Sequence, residues 1–268
     1  MRSTLFRQPS SIVPPAWFAS ALVLARLAFT AAAQTAGLDI HPVALAAQPL
    51  PLSSVHLTGG PLQHAQELDA KYLLELQPDR MLYYLRVRAG LTNKTDGGYG
   101  GWDGAGRQLT GHIAGHYLSA VSYMYAATGN PKFKERADYI VGELKEIQDE
   151  QGDGYLGALM ANAPRGGSAT NTVAGGARRG RGDLVDGKGR FEEITNGVIQ
   201  SSGFDLNGMW SPWYVEHKIF AGLRDAYHYT GNPAALAVEI KFAAWVESIV
   251  GHLTEAQDQR SSIPNSAA

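Results

Sequence analysis

Apolar residues recur at helical spacing through most of this chain. Leu62, Leu68, Tyr72, Leu73 and Leu76 fall on one stripe that ends near Pro78. Ile113, Tyr117, Ala120, Met124 and Ala127 step by four and three, and the chain then turns through Thr128-Gly129-Asn130-Pro131. Asn130 suits an N-cap, and Pro131 suits the first helical position, where its missing N–H costs nothing. Phe133, Ala137, Ile140, Leu144 and Ile147 continue the spacing to Gly152, a C-terminal stop. The unit recurs 102 residues on. Ile219, Leu223 and Ala226 precede Thr230-Gly231-Asn232-Pro233, and Phe242, Val246, Ile249 and Leu253 follow.

Two copies of helix–TGNP–helix imply a repeated α-hairpin architecture. Their separation is too long for a solenoid and suits an α/α toroid, in which long loops at one rim build a site. A superhelical repeat scaffold is the competing architecture. The expected class is therefore all-α, an incomplete (α/α)6 toroid of helical hairpins. Val55 and Leu57 alternate with polar neighbours, which admits one short strand near the start. Ala161 to Gly189 is rich in Gly, Arg and Ala; Arg178, Arg179 and Arg181 read as part of a solvated flexible loop.

Arg2 and Arg7 precede an apolar stretch, Trp17 to Ala33, with small residues at Ala31 and Ala33. This fits an export signal over residues 1–33, cut after Ala33, although Arg26 interrupts the apolar stretch. Residues 34–60 read as a linker, 61–260 as the helical domain and 261–268 as a polar tail. An exported chain is periplasmic or extracellular. With 23 basic and 25 acidic residues the formal charge is −2, which argues against nucleic-acid partners and a polybasic membrane surface. The chain has no cysteine, so thiol nucleophiles, thiolate metal sites and disulfides are excluded within it.

Chemistry-bearing residues gather at hairpin ends: Tyr99 to Asp103, then His112 and His116, then Asp153-Gly154-Tyr155, and then Phe204 to Lys218. Aromatic faces cover the C–H side of a sugar while Asp, Asn and His bond its hydroxyls. Trp102, Trp210, Trp213 and Tyr214 are the candidate platforms, and Asp103, Asp205 and His217 the polar partners. Trp213 and Tyr214 serve equally well as core packing, and Asp205 as a turn cap. His112 and His116 stand at i and i+4 but lack a glutamate base and a third ligand, so metal is not expected there. The expectation is instead a sugar contact by His112 and a packed His116. Glu216 and His217, about 100° apart on a helix, should point one inward and one outward.

Four segments together carry a family resemblance: GGPLQHAQELDAKYLLELQPDRMLYYLRVRAGL, GHIAGHYLSAVSYMYAATGNPKFKERADYIVGEL, GDGYLGAL and GFDLNGMWSPWYVEHKIFAGLRDAYHYTGNP. They resemble the β-L-arabinofuranosidases of glycoside hydrolase families 127 and 146, also catalogued as domain of unknown function 1680, over about Leu52 to Arg260. The resemblance implies a toroid in secreted enzymes that trim arabinose from plant glycans. It also implies a retaining double displacement by a cysteine held on zinc, with a glutamate acid/base. In the family those residues follow the last segment matched here, whereas this sequence runs on into Ser261 to Ala268. The expectation is accordingly an inactive amino-terminal part with no cofactor of its own. Its partner would be an arabinose-containing oligosaccharide or plant glycan, and an exposed apolar face would favour self-association. His217 matches the histidine that lines the family's sugar pocket, and His112, Trp102, Asp103, Trp210 and Tyr214 follow it as substrate-binding residues. Two alternatives stand beside this reading: a non-catalytic carbohydrate-binding or structural helical domain, and an unrelated glycosidase using Asp103 and Asp205.

Overall fold

A computed structural model describes Ala47, residues 49–163 and residues 183–262. The chain divides into two compact units, residues 1–49 and 50–268, and all the elements named here belong to the second. The export signal, most of the linker, Arg178, Arg179, Arg181 and all but the first two residues of the tail lie outside the described residues. Among those described, no helix is long and apolar enough to cross a membrane.

The helices are α1 (Gly60–Glu75), α2 (Pro78–Arg88), α3 (His112–Thr128), α4 (Pro131–Gln151), α5 (Lys188–Thr195), α6 (Pro212–Thr230), α7 (Pro233–Val250) and α8 (Glu255–Ser261). The repeated tetrapeptide makes the same turn twice. Gly129 and Gly231 end α3 and α6 in the left-handed region, at φ 68° and 70°. Asn130 and Asn232 then cap α4 and α7, their side chains accepting from Lys132 N at 3.1 Å and Ala234 N at 2.9 Å. Each proline sits at the first position of its helix. Local chemistry alone accounts for both hairpins.

Their apolar stripes form one core. Phe133, Ala137, Ile140, Leu144 and Ile147 of α4 are buried with Ile219, Leu223 and Ala226 of α6, and with Val238, Phe242 and Ile249 of α7. Leu118 and Val121 lead the buried face of α3; the expected stripe residues Ile113 and Met124 pack only at its edge. Gln148 fastens α4 to α7, its amide nitrogen donating to Val238 O at 3.1 Å. The α1 stripe is a correction. Leu73 and Leu76 pack inward, but Leu62, Leu68 and Tyr72 are exposed, and α1 contributes no fully buried residue.

The fold is mostly helical, with one small antiparallel sheet. Residues 55–57 form no strand; a short 3-10 turn, Leu52–Ser54, precedes them. The strands come later: β1 (Met160–Asn162), β2 (Leu184–Asp186), β3 (Ser201–Ser202), β4 (Asp205–Leu206) and β5 (Met209–Trp210), in the order β2-β1-β5-β4-β3. Met160 pairs with Asp186, so the two ends of the glycine-rich insertion are laddered together. Asn207 and Gly208 join β4 to β5 with φ of 48° and 80°. Both residues are left-handed, as a two-residue hairpin turn requires.

Candidate functional site

The site is built where α3 and α6 begin. A 3-10 turn over Gly101–Asp103 is tied to the entry of α3, with Leu109 N donating to Trp102 O at 2.8 Å and Thr110 Oγ1 to Gly104 O at 2.6 Å. Asp103, fully buried, accepts from Gly111 N through Oδ1 at 2.7 Å. The turn thereby buries its carboxylate and leaves Trp102 67% exposed. Opposite, the β4–β5 hairpin delivers Trp210 edge-on to Trp102, ring centroids 6.2 Å apart. The hairpin is anchored by Arg107, whose Nε donates to Gly208 O at 2.7 Å and whose guanidinium pairs with Asp205. Ser211, left-handed at φ 47°, then turns the chain into α6.

Beside this aromatic pair lie His112, His116 and Tyr214. His112 is buried, its Nδ1 donating to Leu109 O at 2.6 Å and lying 3.4 Å from Asp103 Oδ1. Because a carbonyl only accepts, Nδ1 carries the hydrogen. His116 is exposed, with Nε2 3.2 Å from the Tyr214 hydroxyl. The two imidazoles meet edge to face at 5.7 Å, and His112 lies 6.1 Å from the Tyr214 ring. The expected order is thus inverted, since His112 is the packed histidine and His116 the outward one. Burial first, then Lys218, His112 and His217, hold the His116 imidazole below its usual 6.5.

The remaining candidates separate cleanly. His217 is exposed and Glu216 buried, as the helical geometry requires. Trp213 belongs to the core, packed 5.1 Å from Phe191 with its Nε1 donating to Ser261 O at 2.9 Å. Asp205 caps its turn by accepting from Gly208 N at 2.9 Å. Tyr155 is buried against Phe191 and Trp245, away from solvent. A two-carboxylate glycosidase gains nothing from this arrangement, because Asp103 is enclosed and Asp205 is neutralised by Arg107. The zinc that the resemblance implies calls for thiolates, which the sequence lacks. Among the described residues no three His, Asp or Glu side chains cluster as a metal needs.

Glu216 is the residue that motif reasoning undervalues. It is 1% exposed, both carboxyl oxygens lack a hydrogen-bond partner among the described residues, and burial pushes its pKa well above the usual 4.5. Burial first, and then Glu216 and Asp186, raise the Tyr155 hydroxyl, whose oxygen is also buried. On unfolding Glu216 ionises near its ordinary value. Between that value and its raised folded one the native state therefore binds more protons, and stability falls as pH rises. Replacing Glu216 by Met, apolar and similar in length, should stabilise the protein by about 1–3 kcal/mol at pH 7.5. The gain should shrink as pH falls through 4.5, below which both states hold the proton. Paired thermal melts check this, and a Met variant less stable than the parent at pH 7.5 contradicts it.

No curated protein matches the chain. A family model does: the β-L-arabinofuranosidase, GH127 catalytic domain, over residues 54–267. That span takes in both TGNP hairpins, the β4–β5 hairpin and every residue of the site. The chain belongs to the glycoside hydrolase family of the GH127 β-L-arabinofuranosidase catalytic domain.

Proposed function

We propose that this chain is an exported glycan-recognising domain that receives an arabinofuranosyl unit between the Trp102–Trp210 pair and the His112–His116–Tyr214 group, without cleaving its bond. One observation carries the reading. Two tryptophans stand edge to face at the mouth, one of them two-thirds exposed, beside outward histidine and tyrosine side chains. An exposed tryptophan loses hydrophobic stabilisation unless something covers it, and the apolar face of a sugar does so while its hydroxyls reach the imidazoles. The family supplies the substrate class, a glycan. The silence on bond cleavage follows from composition, since the thiolate nucleophile implied by the resemblance needs a cysteine and the sequence has none. His217, on the exposed side of α6, is the histidine assigned to the sugar.

Titration calorimetry with an arabinofuranosyl disaccharide tests the reading. Binding is expected, with Trp210→Ala weakening it about tenfold and no arabinose released from a chromogenic arabinofuranoside. Unchanged affinity in the Trp210 variant, or turnover of the chromogenic substrate by the purified chain, refutes the corresponding half. The exposed apolar side chains of α1 and α7, Leu62, Leu68, Tyr72 and Ile240, support self-association as part of the same proposal. Sedimentation velocity should then show a concentration-dependent oligomer, and a monomer at all concentrations removes it.

A further inference from the structure

The mouth of the site is basic. His112 and His116 come from α3, and His217 and Lys218 from α6. Lys218 Nζ lies 4.7 Å over the Tyr214 ring, and Tyr214 in turn contacts both α3 histidines. Among the described residues Lys218 has no carboxylate within ion-pair distance. Glu216, two residues before Lys218, is buried, and the two other acids of the site are otherwise engaged. Asp103 is enclosed and held by Gly111 N and His112, and Asp205 is paired with Arg107.

A neutral sugar presents hydroxyls, each of which donates as well as accepts, and is best met by carboxylates placed among donors. An ammonium offers three donors and no acceptor. A site that keeps a lysine over an aromatic ring, with one carboxylate buried and the other paired with an arginine, matches a ligand that only accepts. We infer that the glycan taken here carries a carboxylate on a sugar next to the arabinofuranosyl unit, as in a uronic-acid-containing glycan, with Lys218 bonding the carboxylate and the Tyr214 hydroxyl and His116 alongside it. The field acts on His116 in the same sense: the ionisable groups that depress it, Lys218, His112 and His217, are all basic. A carboxylate docked there would offset this repulsion and add charge-assisted hydrogen bonds, which are the stronger kind.

This inference rests on the proposed sugar reading of the site and narrows its ligand. It is tested by calorimetry on the full chain with trigalacturonate, its carboxyl-reduced counterpart and an arabinofuranosyl disaccharide. Trigalacturonate should bind about tenfold more tightly than the reduced trisaccharide at about 20 mM salt, and the preference should shrink severalfold at about 300 mM. Lys218→Met should bring the acidic ligand down to the affinity of the reduced one. Equal binding of the acidic and reduced trisaccharides by the parent chain overturns the inference without recourse to any variant, as does full acid preference in a folded Lys218→Met protein. If the neutral ligands bind and the acid has no advantage, only the carboxylate is wrong. If none of the three binds, the sugar reading falls with it.

Discussion

Replacing Arg86 by Leu should cost about 3–5 kcal/mol and lower the melting temperature by about 10 °C or more. Arg86 lies in the last turn of α2 and is only 5% exposed. Nη1 donates to Glu143 at 2.7 Å and to Glu146 at 2.6 Å, both on α4, while Nε donates to Thr92 O at 2.9 Å. One planar group thus ties the end of α2, the loop after it and α4, using directions that a lysine ammonium does not reproduce. Glu143 is itself buried, and among the described residues it keeps only Lys94 without Arg86. The cost comes chiefly from stranding that carboxylate. The double replacement of Arg86 and Glu143 by Leu should therefore recover part of the loss. The hydrogen bond to Arg86 holds the Glu146 carboxyl below its usual 4.5. Its contribution is present above that value and fades as pH falls, so the gap between parent and variant should narrow in acid. Thermal and urea unfolding at pH 7 and pH 4 measure both effects. A single variant melting within about 2 °C of the parent sinks the account.

Which parts of this were legible depends on how far each signal acts along the chain. The TGNP turns could be read because cap, proline and left-handed glycine lie within four residues. The β4–β5 hairpin was equally local. Asn207-Gly208 is a strong short hairpin signal, but in a chain dominated by helical spacing it passes for loop. The sheet itself was not legible: its strands are two or three residues long, too short to show alternation, and β1 finds β2 and β5 only through tertiary contact. On α1 the apolar period marks the helix but not its burial, because periodicity marks a face without saying whether anything covers it. His112 and His116 show the same limit. Spacing i to i+4 places both on one face, but Asp103 and the Leu109 carbonyl bury the first and leave the second in the open. The Tyr155 hydroxyl is raised first by burial and then by Glu216, 61 residues later, and no window of local sequence connects them.

Gly115→Ala should be nearly as damaging as the loss of Arg86, and it should reach the site. A Cβ at Gly115 would lie 2.1 Å from the Lys218 carbonyl oxygen and 2.7 Å from Ile219 N. The contact is reciprocal, since a Cβ at Gly222 would lie 2.6 Å from Gly115 O. The α3 and α6 backbones therefore touch through paired glycines. These obstructing atoms are backbone and cannot rotate away, so the helices must separate, at about 3 kcal/mol, the upper end for overpacking. Every polar residue proposed to meet the sugar is carried by these two helices. Their separation should break the bond between Tyr214 and His116 and draw Lys218 away from the α3 histidines, weakening glycan binding even where the variant remains folded. Gly142→Ala is the matched control. It lies inside α4 with nothing within 4 Å of its added carbon, and should be neutral or stabilising by up to about 1 kcal/mol. The two variants make the same chemical change, one methyl in a helix, and should differ in melting temperature by about 8 °C or more. If Gly115→Ala instead melts and binds glycan as Gly142→Ala does, the α3–α6 crossing is not what sets the spacing of the site.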